Sequence, residues 1–168
     1  MVTICTYNAR TLASEYSIED LLMLARRIRY DVIGLAETQR RHLFNAVYDT
    51  GEELFLGTCD SRGVGGVGVL VTTSLSMNNY SFTELTTRIG RLRLQRRGSI
   101  PALTKFVAYS PTSNYDEEEV EALYMDLEEF CREDHTFFKV IIGDCNAKIR
   151  PRRTSEERPK NATLGPTD

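Results

Sequence analysis

Apolar positions recur at helical spacing in two stretches and at strand spacing around and between them. Ile18, Leu21, Leu22, Ala25 and Ile28 share one face of a helix expected over residues 17–29, opposite Glu19, Arg26 and Arg27, with Ser17 and Asp20 in capping-box spacing at its start. Val120, Leu123, Tyr124, Leu127 and Phe130 or Cys131 mark a second helix over residues 115–134, whose outer face carries ten acidic side chains against Arg132 and so belongs in water.

Residues 2–7 are rich in strand formers, and residues 31–36 form a short apolar run after the first helix. That strand, helix, strand order makes a right-handed crossover between parallel strands the economical arrangement. From residue 53 to residue 109 helical periodicity disappears, and short strands are expected around residues 54–56, 67–71, 80–85, 92–94 and 105–108 as a meandering sheet. The most apolar candidate, residues 137–142, is expected at the centre of a sheet.

Four of these strands end in polar groups. Asn8 closes the first, Glu37 follows the second, Tyr109 closes residues 105–108, and Asp144 and Asn146 follow residues 137–142. Ligands of open, helix-flanked sheets bind beyond the carboxyl ends of strands, where loops project side chains without disturbing the core. Singly, each residue is an ordinary turn residue, surface charge or half-buried aromatic. Together they offer a carboxylate for a hard divalent cation, a second carboxylate for a water, and neutral donors for phosphate oxygens.

The segments Cys5-Thr6-Tyr7-Asn8, Asp31-Val32-Ile33-Gly34-Leu35-Ala36-Glu37-Thr38, Ala108-Tyr109-Ser110-Pro111 and Ile142-Gly143-Asp144-Cys145-Asn146-Ala147-Lys148 resemble, in order and spacing, successive motifs of the endonuclease/exonuclease/phosphatase family. The resemblance extends from Val2 to about Arg153 and is greatest to the apurinic-endonuclease-like domains of non-LTR retrotransposons and their craniofacial-development-protein-like relatives. It implies an α/β fold, a two-sheet β-sandwich flanked by helices in four αββα layers. It further implies that Glu37 ligates Mg²⁺ or Mn²⁺, that Asn8 supports metal and phosphate, and that Tyr109 steadies the phosphate or its attacking water. Asp144 would orient or deprotonate that water and Asn146 would donate to a phosphate oxygen, with DNA or another phosphodiester as substrate.

The family's closing motifs, a late Asp and a Ser-Asp-His, have no counterpart before Asp168, so the fold is expected to be incomplete at its carboxyl end. His135 precedes the strand that carries Asp144 at its far end, which puts the two roughly 20 Å apart. His42 follows Glu37 as a loop residue. Two alternatives accompany the nuclease reading: a truncated remnant without turnover, and a protein-interaction module that uses the acidic helix over residues 115–134.

Composition narrows the classes further. A chain of 168 residues with 41% hydrophobic content suits one domain, expected over residues 1–150, followed by an irregular, proline-bearing basic tail over residues 151–168. The net charge of -3, from 21 basic against 24 acidic side chains, excludes a uniformly basic nucleic-acid binder and leaves local patches, such as Arg88, Arg91, Arg93, Arg96 and Arg97 and the run from Lys148 to Lys160. No apolar stretch approaches the roughly 20 residues of a membrane span, and the start lacks a secretory pattern, so the expectation is intracellular, nucleus or cytoplasm, with no membrane or obligatory protein partner. Cys5, Cys59, Cys131 and Cys145 form no C-x-x-C pair, which argues for reduced thiols. Alternation turns Cys145 away from its neighbours and towards the core. Gly63-Val64-Gly65-Gly66-Val67-Gly68 satisfies G-x-G-x-x-G but leads into a strand, so it is read as a turn with close packing and not as a dinucleotide loop.

Overall fold

Two strands near the amino terminus start the first sheet. Ile4–Asn8 (β1) and Val32–Ala36 (β2) run parallel, in register from Ile4 opposite Val32 to Asn8 opposite Ala36, and Glu15–Ala25 (α1) crosses between them as expected. The computed structural model describes residues 2–10, 12–76, 80–95, 102–110 and 116–145. Phe44–Val47 (β3), Glu53–Leu56 (β4) and Val67–Val71 (β5) complete a sheet ordered β1-β2-β5-β4-β3. After a short helix, Thr73–Ser76 (α2), the strands Tyr80–Thr86 (β6), Ile89–Leu94 (β7), Leu103–Ser110 (β8) and Phe138–Cys145 (β9) form a second sheet in that order, with Glu117–Glu133 (α3) joining β8 to its parallel partner β9.

Alternation along the strands sorts the core into three layers. Ile33 and Leu35 turn outward against Ile18, Leu21, Leu22 and Ala25 of α1. Val32 and Ala36 turn inward to meet Val107, Tyr109 and Leu92 across the sandwich. Phe106 and Ala108 face outward against Leu123 and Leu127 of α3. Each helix is thus held by its apolar stripe, the usual source of helix stability in a protein, and the layer order α1, first sheet, second sheet, α3 is the four-layer αββα sandwich expected.

Several details differ from the sequence expectations. Ser14, not Ser17, caps α1: its hydroxyl accepts from the Ser17 amide at 3.2 Å. The helix stops at Ala25, where the amides of Arg27 and Ile28 turn to carbonyls three residues back, and Ile28 is left 50% exposed. The middle third is not one meander, because β3 to β5 join the first sheet and β6 to β8 the second. β3 carries no strand signal in the sequence, because its four residues alternate too briefly to register. β9 is not central: it lies at an edge of its sheet among the described residues, with Phe138 and Ile141 about half exposed. Of this apolar run, Ile142 packs into the inter-sheet core. Among the described residues no helix is long and apolar enough to cross a membrane.

Candidate active site

Because β1 and β2 run parallel, as do β8 and β9, the carboxyl ends of all four strands can gather at one end of the sandwich. Asn8 and Ala36 are register partners in one sheet, and Tyr109 and Asp144 are register partners in the other. Two hydrogen bonds then cross between the sheets. The Asn8 amide nitrogen Nδ2 donates to Asp144 Oδ2 at 2.8 Å, and the Tyr109 hydroxyl donates to Glu37 Oε1 at 2.5 Å. The structure therefore brings together Asn8, Glu37, Tyr109 and Asp144. Asn146 lies outside the described residues, as does the tail.

The four groups differ in exposure. Tyr109 is 3% exposed within the inter-sheet core, so its ring is fixed and only its hydroxyl reaches the site. Glu37 and Asp144 are partly exposed and Asn8 is open to solvent. A cavity of about 170 Å³ opens beside them, lined by Thr6, Asn8, Gly34, Ala36, Gly143 and Asp144 among others. Gly143 has a φ of +146°, and a Cβ there would fall 1.8 Å from the Ala108 carbonyl oxygen. Glycine at this position lets β9 lie against β8 immediately before Asp144 is delivered.

Glu37 sits on a strained turn. Its φ is +57° and that of Gln39 is +52°, a left-handed conformation uncommon for residues other than glycine. Neighbouring backbone holds the turn: the amides of Thr38 and Gln39 donate to the carbonyls of Gly66 and Gly65, each at 3.1 Å, and the Leu12 amide donates to Thr38. Thr38, completely buried, was not singled out from the sequence, where a threonine beside a charged residue carries no mark of its own.

The donor set is all hard oxygen and amide chemistry, without imidazole or thiol, and suits Mg²⁺ or Mn²⁺ better than zinc. Among the described residues no three His, Cys, Asp or Glu side chains cluster as a complete cage.

Other sequence candidates separate from the site. Cys145 is exposed, not in the core; desolvation around its sulfur and the Asp144 charge push its pKa up, so it stays a thiol. All four cysteines are free. The glycine run leads into β5 and not into a helix. Arg88 binds Glu119 at 2.7 Å, Arg62 bridges Glu119 and Asp60, and Arg93 binds Asp134, so these three arginines are engaged with acids. Arg96, Arg97 and the run from Lys148 to Lys160 lie outside the described residues. His42 lies on an exposed bend before β3, and His135 precedes β9, at the opposite end from Asp144.

Known proteins share this fold. A family model described as the endonuclease/exonuclease/phosphatase family matches residues 5–162. Among solved structures, the endonuclease domain of TRAS1, a telomere-specific non-LTR retrotransposon, aligns with a TM-score of 0.58 at 14% identity, covering 88% of this chain and 60% of that one. The human Nocturnin catalytic domain with bound sulfate aligns at 0.56 and 12% identity over 88% of this chain and 65% of its own. A humanized D. rerio TDP2 aligns at 0.53 and 16% identity over 88% and 67%. At these identities the likeness is one of fold. The chain spans 60% of the length of the TRAS1 domain. No curated protein sequence matches it.

Proposed function

This chain belongs to the endonuclease/exonuclease/phosphatase family, and from that membership we propose that it carries a divalent-cation-dependent phosphodiesterase site, acting on DNA as an endonuclease of the retroelement type. The observation that carries the proposal is the pair of inter-sheet hydrogen bonds, Asn8 to Asp144 and Tyr109 to Glu37, which joins two carboxylates and two neutral donors at one rim.

Glu37 would hold Mg²⁺ or Mn²⁺, which when bound neutralises phosphate charge. Tyr109 fixes one carboxylate oxygen of Glu37 and so limits the directions in which the other can turn. Asn8 does the same for Asp144, leaving its second oxygen to take the proton of a water that attacks phosphorus as the phosphoester P–O bond breaks and the leaving oxygen takes a proton from solvent. Asn146, two residues past Asp144, is proposed as a donor to a phosphate oxygen. No protein nucleophile is needed, because displacement at phosphorus depends mainly on alignment and charge neutralisation.

The test is nicking of supercoiled plasmid by the purified chain with Mg²⁺, beside Glu37→Gln and Asp144→Asn. Nicking by the parent that both variants lose supports the proposal. A folded parent as inert as both variants removes the activity and leaves a family member without turnover.

A further inference from the structure

The glycine run discounted as a cofactor loop has another use. We propose that Gly66, seated against the side chain of Thr38, is a positioning residue for Glu37 and sets where its carboxylate meets Tyr109.

The argument starts from a closed circuit of hydrogen bonds. The Thr38 amide donates to the Gly66 carbonyl at 3.1 Å, and the Gly66 amide donates to Thr87 at 2.8 Å. Arg88, next in the chain, accepts from the Tyr109 amide at 2.9 Å, and the Tyr109 hydroxyl returns to Glu37 at 2.5 Å. Gly66 is thus the backbone link between the turn that carries Glu37 in one sheet and the strand that carries Tyr109 in the other. Any change in its position alters the separation of the two side chains.

Only glycine fits the link. Gly66 has a φ of +85°, and a Cβ on it would lie 2.4 Å from Thr38 Oγ1 and 3.1 Å from the Gln39 amide nitrogen. Thr38 cannot swing aside, since it is completely buried, and its hydroxyl has no hydrogen-bond partner among the described residues. A buried hydroxyl left unsatisfied is costly, so its placement is set by the wedge it makes against Gly66 and not by a bond of its own. Two left-handed residues, Glu37 and Gln39, flank that wedge and persist because the surroundings over-determine them.

Gly63 supplies the control. It lies in the same run with a φ of +79°, but a Cβ on it would meet nothing within 4 Å. Gly63→Ala therefore carries the backbone strain without the clash.

The experiment records spectra of the full chain with ¹³C-labelled tyrosine rings, with the Tyr109 signal assigned through Tyr109→Phe, and titrates Mn²⁺ calorimetrically. Gly66→Ala is expected to shift the Tyr109 signal and weaken Mn²⁺ binding about tenfold or more, whereas Gly63→Ala leaves both near the parent. Adding Thr38→Ala to Gly66→Ala removes the obstructing Oγ1 and is expected to return the signal towards the parent. Should Gly66→Ala fail to fold, Thr38→Ala alone empties the wedge and is expected to shift the same signal. An unchanged Tyr109 signal in Gly66→Ala, or an equal shift in Gly63→Ala, overturns the proposal. The consequence for metal rests on the proposed function: a parent that binds no Mn²⁺ defeats that reading, while the ring spectra still decide the positioning.

Discussion

Tyr109 donates its hydroxyl to Glu37 at 2.5 Å, across 72 positions of sequence and from one sheet of the sandwich to the other. The ring is rooted in the inter-sheet core while the carboxylate sits on a strained turn, so the buried ring fixes the point from which the hydroxyl orients the carboxylate. Tyr109→Phe keeps the packing and removes only the donor. It is expected to lower plasmid nicking by about 10- to 100-fold, the usual cost of losing a group that orients a metal ligand, with a stability change of about 1 kcal/mol or less. Nicking rates and denaturant melts of parent and variant measure the two effects.

Asn8 and Asp144 make the second crossing, 136 positions apart. Asn8→Asp replaces a donor by a second carboxylate of similar shape, and two carboxylates this close cannot both ionise freely. One of them then keeps its proton to higher pH in the folded state than in the unfolded one. Stability of the variant relative to the parent should therefore fall as pH rises through the raised pKa and recover on acidification. Thermal melts from pH 4 to pH 8 read the sign directly.

Lys105 sits on the same face of β8 as Val107, fully buried between the sheets, with no hydrogen-bond partner for its Nζ among the described residues. Burial lowers its pKa to about 8, an effect that Asp31 offsets only in part. A lysine of depressed pKa releases its proton in the folded state first, so stability should rise from about pH 8 towards the unfolded value near 10.4. Lys105→Met should abolish that rise and stabilise the protein at pH 7 by on the order of 3 kcal/mol. Urea melts at pH 7 and pH 10 test both statements.

Asp134 ties α3 to the second sheet. Burial alone would raise its pKa, but hydrogen bonds from the Thr136 amide, Arg93 and the Thr104 hydroxyl bring it down to about 2. Its contribution should be complete above about pH 4 and be lost as pH falls towards 2. Asp134→Ala should cost on the order of 2 kcal/mol at pH 7 through unsatisfied donors. Its acid unfolding should be correspondingly less steep, as circular dichroism against pH would show.

What the sequence settled by itself was local or periodic. The two amphipathic helices and the parallel β1-α1-β2 unit follow from side-chain spacing and element order, since helix and strand expose different periods. The polar residues at strand ends were legible too, because a polar group closing an apolar run is a one-dimensional signal. That Asn8, Glu37, Tyr109 and Asp144 converge needed the tertiary structure, for nothing along the chain records which sheet β6 to β9 would join or how the sheets face each other. The same holds for the edge position of β9 and the exposure of Cys145, each set by neighbours distant in sequence. The glycine run shows the division most clearly. Its spacing announced a turn, but only packing against Thr38 and Thr87 made Gly66 the link between two sheets, because the steric limit on a Cβ exists only once the opposing atoms are in place.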